Sequence, residues 1–232
     1  MRTWHLALLL GVALLLTGCA GDVIGDLYVQ DIIDAMELED DVFTIGTVSI
    51  QSVDPEYMEQ MIEFFNLFFR EPSNFRDQSR DYTSYTMADV KIPVVDITYF
   101  DPVFPEDIIA FVVAFDEEDE SVWFGVAVNK DRFAEAAAYV QENFWQQLSF
   151  SDFTLQLRLI NDTRETVTAS VYSLYANQQP VLFLEDYSLA RRDMLELRLS
   201  DVMRDYAYEE GFVLIGSLKQ IVHKYKEAFL VG

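Results

Sequence analysis

Residues 121–144, SVWFGVAVNKDRFAEAAAYVQENF, change hydrophobic period once, and that change sets how the rest of the chain is read. Up to Asn129 the run is β-branched, aromatic and almost continuously apolar, which predicts a strand. Asn129 or Asp131 can then cap a helix in which Phe133, Ala136, Ala137, Val140 and Phe144 recur at core spacing. Further on, Phe153, Leu155, Leu157 and Leu159 alternate with polar neighbours. Asn161-Asp162-Thr163 reads as a turn into a returning strand through Val167, Ala169 and Val171.

The same succession precedes this stretch. Residues 42–53 alternate around Phe43, Ile45, Val48 and Ile50, and Asp54-Pro55 marks a helix start. Met58, Met61, Ile62, Phe65, Phe68 and Phe69 then form an apolar stripe ended by Pro72. A polar loop over 73–84 leads to extended segments over 86–99 and 107–115, the second apolar on both faces and therefore interior. Two passes of strand, helix, strand, strand thus lie roughly 78 residues apart, similar in pattern but not in residue identity. The expected fold is α+β, with two βαββ-like units, over 26–116 and 117–232, that suggest an internal duplication. This order echoes the topology of ring-clamp and ferredoxin-like proteins, an analogy of fold that carries no function.

Around these units, Asp26 can cap a helix with Tyr28, Val29, Ile32, Ile33 and Met36 on one face. Residues 181–185 read as a strand. Residues 188–211 fit either a helix stripe (Leu195, Leu199, Val202, Tyr206) or strand alternation (Leu195, Leu197, Leu199). One helix over 189–210 is favoured, with Ser188 as cap and Gly211 past its end. A short strand over 212–215 and a final helix capped by Ser217, with Leu218, Ile221, Val222, Tyr225 and Phe229 inward, complete a C-terminal helical extension.

The chain has 232 residues, 51% of them hydrophobic, and a formal charge of -24. That is enough apolar material for one sizeable core or two small ones. The charge argues against nucleic acid or anionic headgroups as partners. It suits concentrated salt equally well, where screening removes self-repulsion, or a cationic partner. A single cysteine, Cys19, leaves no intrachain disulfide.

Chemistry-bearing patterns are sparse. His223 is the one histidine past the leader and has no identifiable nucleophile or orienting acid. No Cys/His set suits zinc, so no metal or other cofactor is expected. Residues 211–217 outline a phosphate loop but lack its lysine. Asp116, Glu117, Glu118, Asp119 and Glu120 concentrate carboxylates that a hard cation takes, yet without the glycine and spacing of a calcium loop they read first as a solvated turn. Tyr82, Tyr85, Tyr99, Phe100 and Phe104 lie in or beside irregular segments, where aromatics supply binding area at low entropic cost. Tyr99, Phe100 and Phe104 are the candidate binding residues, against the alternative that they pack as core.

At the N-terminus, Arg2 and an apolar run over 6–16 end in Leu16-Thr17-Gly18-Cys19. A charged start and a short apolar core are the parts of a secretory signal, and the core is shorter than a membrane span. This segment resembles the lipobox of bacterial lipoprotein precursors. The resemblance implies that residues 1–18 are a signal peptide and that Cys19 carries diacylglycerol and an N-acyl chain. Two or more chains hold a protein stably on a membrane. Ala20 rather than an aspartate follows the cysteine, which in Gram-negative lipoproteins implies the outer membrane. Residues 19–25, with two glycines, are expected to form a short tether. Loss of residues 1–18, which hold Arg2 and no acid, takes the formal charge from -24 to -25.

More loosely, the acylated leader, the series Asp26, Tyr28, Asp31, Ile32 and the β-rich body resemble small lipoproteins of marine bacteria and their tailed phages. The expectation is an exported, membrane-anchored envelope lipoprotein, more a binder of another envelope protein than an enzyme. Were it phage-borne, receptor occlusion against superinfection would follow. The competing expectation is a carboxylate-dependent hydrolase acting on envelope glycans.

Overall fold

The computed structural model describes residues 19–37, 41–52, 57–80, 83–98, 102, 104, 106–219 and 221. Its first strand, β1 (Cys19–Tyr28), is followed by α1 (Val29–Met36), β2 (Val42–Ser52), α2 (Met58–Phe68), β3 (Arg70–Arg80) and β4 (Thr83–Asp96). Then come β5 (Ile109–Asp116), β6 (Ser121–Val128), α3 (Lys130–Phe144), β7 (Leu148–Ile160) and β8 (Val167–Val171). The chain continues through β9 (Leu174–Ala176), β10 (Gln179–Val181), β11 (Glu185–Leu189), β12 (Met194–Leu199), α4 (Asp201–Glu210) and β13 (Phe212–Lys219).

All of these strands join one sheet in the order β10-β9-β12-β7-β1-β2-β4-β5-β6-β13-β8-β11, with β3 added on β4. Laid flat, twelve strands at about 4.8 Å spacing would put the outer two roughly 50 Å apart. The outermost strands, β10 and β11, are however consecutive in the chain, and four residue steps bridge at most about 15 Å. The sheet must therefore curl almost into a barrel.

Its inner face is apolar. Paired positions share a face, so Val23 lies beside Val48 and Leu155, and Val48 beside Ala88, all buried. The outer face over β1, β2, β4 and β7 is polar: Arg80 meets Asp22 at 3.0 Å, Arg76 meets Asp89 at 3.0 Å, and Arg158 meets Asp26 at 2.5 Å. An apolar interior with a charged exterior is the reverse of a membrane-spanning barrel. No described helix is long and apolar enough to cross a membrane.

The helices close the two mouths. α1 leaves the Tyr28 end of β1 and packs on β1, β2, β4 and β5, burying Val29, Ile32, Ile33 and Met36. Strand directions put the ends of β2, β6 and β12 at the opposite mouth, beside Cys19, so α2, α3 and α4 all start there. There Phe64, Phe65 and Phe133 are buried.

The structure corrects several expectations. The architecture is mixed α and β, as read, but the two βαββ successions do not share a pairing scheme. In the first, β4 pairs with both β2 and β5; in the second, β6, β7 and β8 pair with other strands and not with one another. Residues 19–25 are no tether: they form most of β1, between β2 and β7. Their glycines gave them the look of a linker, yet a Cβ at Gly21 would collide with the ring of Phe153 and one at Gly25 with the ring of Phe111. Glycine is there to admit aromatic rings of the core.

The polar run expected as a loop over 73–84 is mostly β3, an outer strand with two register shifts and Pro72 near its start, features that suit a sheet edge. The helix read over 189–210 is two elements, because Leu195, Leu197 and Leu199 alternate inward on β12 and only 201–210 are helical, capped by Ser200. Gly211 does end that helix, at φ 90°. Ser217 and Leu218 lie in β13 rather than opening a helix. The remainder of that expected helix, from 222 onward, lies outside the described residues.

Candidate functional site

A cleft of about 510 Å³ lies where the β6–α3 junction meets the α4–β13 junction. Its apolar side comes from Phe104, Val128, Phe212 and Pro102, and its rim from Asn129, Lys130, Asp131, Glu209 and Glu210. Two helix ends explain the arrangement. Asn129 stops β6 and caps α3, its side chain accepting from the Arg132 amide at 3.0 Å, while its Nδ2 donates to the Phe104 carbonyl at 3.3 Å. Gly211 stops α4 in the left-handed conformation, and its carbonyl accepts from the Val128 amide at 2.8 Å.

Lys130 spans the two ends. Its Nζ donates to the Glu209 carbonyl at 3.1 Å and to Glu209 Oε2 at 2.9 Å, and it lies 5.2 Å from the Tyr208 ring centre. A cation at a helix C-terminus is favourable, so this lysine is committed to α4. The rim keeps three carboxylates, Asp131, Glu209 and Glu210, against that one ammonium.

The segment carrying Phe104 is fastened from below. Asp107, buried, receives two bonds from Arg70, Nε to Oδ1 at 3.1 Å and Nη2 to Oδ2 at 2.9 Å, and Glu106 pairs with the same guanidinium at 3.2 Å. The hydrogen bond to Asp107 raises the Arg70 pKa, against the opposing effect of burial. Phe104 itself packs with Ala110, Val112 and Ala127 on the outer sheet face, forming a small second core.

Of the residues singled out from sequence, Phe104 is therefore a buried cleft wall rather than an exposed anchor. Tyr99, Phe100 and Tyr82 lie outside the described residues, as does His223. Tyr85 is half-buried on β4, 5.7 Å from the Arg80 guanidinium. Cys19 opens β1. Asp116 to Glu120 form the β5–β6 turn, where the Asp116 carboxylate accepts the amides of Glu118 at 2.9 Å and Asp119 at 3.3 Å. No group of three or more His, Cys, Asp or Glu that could hold a metal is found among the described residues. Sequence reading missed Lys130, Glu209, Glu210 and Phe212. The cap and stop signals at Asn129 and Gly211 were visible, but nothing in the sequence said that those two junctions meet.

A family model described as a domain of unknown function, DUF7424, matches residues 22–221. The chain belongs to the DUF7424 family. The DUF7424 match starts within β1 and runs past the end of β13, so it takes in the whole curled sheet and the cleft. No curated protein and no solved structure matches the chain.

Proposed function

We propose that this DUF7424 protein is an exported lipoprotein, acylated on Cys19, that binds another protein of the cell envelope through the cleft between α3 and α4. The reading is supported above all by the cleft's composition. It offers an apolar wall of Phe104, Phe212 and Pro102 beside a rim where three carboxylates face one already paired lysine. Such a site suits a segment that presents an apolar side chain next to a basic one. Fixed elements line it on both sides, which lowers the ordering cost of association.

Two measurements test the two halves. Cys19→Ser is expected to abolish uptake of labelled fatty acid and partition into detergent phase. A photo-crosslinking residue at Phe212, in the cleft wall, is expected to capture one envelope protein in intact cells. Asp131→Lys with Glu210→Lys is expected to weaken that partner's binding at least about tenfold, or about 1.4 kcal/mol, at unchanged melting temperature. Capture unaffected by the charge reversal would reject the cleft as the binding site. The same carboxylates support a second reading, glycan hydrolysis, and turnover of envelope glycans lost in Asp131→Asn or Glu210→Gln would favour it.

A further inference from the structure

Ten large apolar side chains are exposed among the described residues, and they are not spread evenly. Cys19 pairs with Leu148 at the start of β7. β12 runs antiparallel to β7, β9 antiparallel to β12, and β10 antiparallel to β9, with Leu199, Leu174 and Val181 in register at the end nearer Cys19. The Leu-Phe-Leu link of residues 182–184 therefore leaves the sheet at the end where β1 begins. Its exposures are 74% for Leu182, 82% for Phe183 and 59% for Leu184. Val202, 76% exposed, starts α4 at the same end.

Trp145 lies at the same end of the sheet, between α3 and β7. It lies three residues before Leu148, so at most about 11 Å of chain separates it from the residue paired with Cys19. It is 86% exposed and held at φ 56°, a conformation uncommon for a bulky residue. Four strand steps, about 19 Å, separate β1 from β10, so Trp145 and the 182–184 link lie on one arc of the rim with Cys19. The acidic β5–β6 turn is at the opposite end of the sheet.

The chain outside the structure names the occupant. Eighteen residues precede Cys19, with an apolar run over 6–16. Whether that run stays or is replaced by acyl chains on Cys19, a hydrophobic group emerges at this rim. We propose that the rim is a bilayer-docking surface, on which Trp145 and residues 182–184 enter the headgroup boundary beside the anchor; this rests on the lipid-anchor reading above. Tryptophan favours that boundary, and Leu and Phe bury apolar area in it. Acids such as Asp201 and Glu142 border the arc, so a zwitterionic surface is preferred over an anionic one. The cleft opens at the same end of the sheet, at β6 and β13, four and five strand steps from β1 in the other direction.

The test uses the full chain with Trp4→Phe and Trp123→Phe, which leaves Trp145 as the sole tryptophan, in the Cys19 and Cys19→Ser forms. Each is mixed with phosphatidylcholine vesicles brominated on their acyl chains. Quenching of Trp145 emission is expected in both forms, strongly in the anchored one and only at high lipid concentration in the Cys19→Ser form. Leu182→Asp with Phe183→Asp should reduce it about threefold without lowering the melting temperature, since both side chains are exposed. Unquenched Trp145 in both forms overturns the proposal. So does a lipid-free dimer dispersed by the same double substitution, which would assign the patch to a second copy. Absence of fatty-acid label from the Cys19 form would instead refute the lipid anchor, with quenching still deciding the docking.

Discussion

Two residues show how local chemistry serves the curled sheet. Gly25 lies on β1 beneath the ring of Phe111, with Ile92 alongside, so any larger residue must displace a packed core. Gly25→Val is expected to destabilise by about 1–3 kcal/mol, the usual cost of overpacking, seen as a lower urea midpoint with unchanged slope. Asp89, on the outer face of β4, is a different case. Burial alone would raise its pKa, but bonds from Asn74 at 2.9 Å, Thr47 at 3.0 Å and Arg76 at 3.0 Å outweigh that and hold it below the ordinary carboxylate value. A depressed carboxylate stabilises the fold above its unfolded pKa, and that stabilisation is lost as pH falls through the folded value. Asp89→Asn should therefore lower stability near neutrality by about 1–2 kcal/mol and flatten the acid limb below about pH 4, measured by urea unfolding across pH.

Helix and strand ends carry most of what sequence reading misplaced. Over 188–211 two periodicities coexist, and the choice between them rests on which serine caps the helix. Ser200 does so, its Oγ accepting from the Met203 amide at 3.3 Å and donating to the Ser173 carbonyl at 2.9 Å. Ser188 instead sits in β11, paired with Thr168. Ser200→Ala is expected to cost about 1 kcal/mol and Ser188→Ala a few tenths, a contrast readable in paired thermal melts. The turn read at Asn161 makes a related point. Rather than closing a two-strand hairpin, this buried side chain donates to the Glu165 carbonyl at 2.7 Å and the Leu189 carbonyl at 2.8 Å, tying two loops together. Arg132 acts similarly between helices: it lies 4.8 Å from the Phe68 ring centre and donates to the Leu67 carbonyl near the end of α2.

At the scale of the molecule, a net charge of -24 is spread over a surface whose arginines are largely paired to nearby acids. The excess acids repel one another. Between about 0.1 M and about 1 M salt the Debye length falls from about 10 Å to about 3 Å, so the full chain should gain thermal stability over that range. Calcium at matched ionic strength should add little, because the Asp116 carboxylate already accepts the backbone amides of its own turn. A flat melting temperature would show that the excess charges lie too far apart to interact.

The sequence by itself determined the local periods: both helical stripes flanked by strands, the interior strand over 107–115, the inward alternation of β7 and the stop at Gly211. These signals lie within a few residues of one another, where spacing alone assigns a face. It also marked Cys19, Phe104 and the acidic turn as distinctive. Only the tertiary structure decided what pairs with what. Glycines 21 and 25 look like linker residues until Phe153 and Phe111, far along the chain, are seen to pack on them. The cleft needs residues 102–104, 128–131 and 209–212 in one place, and the docking rim needs β1, β7 and β10 in register. Such contacts join segments well apart in the chain, as Gly21 and Phe153 do, and their free energy comes from burial and strand pairing, which no local pattern encodes.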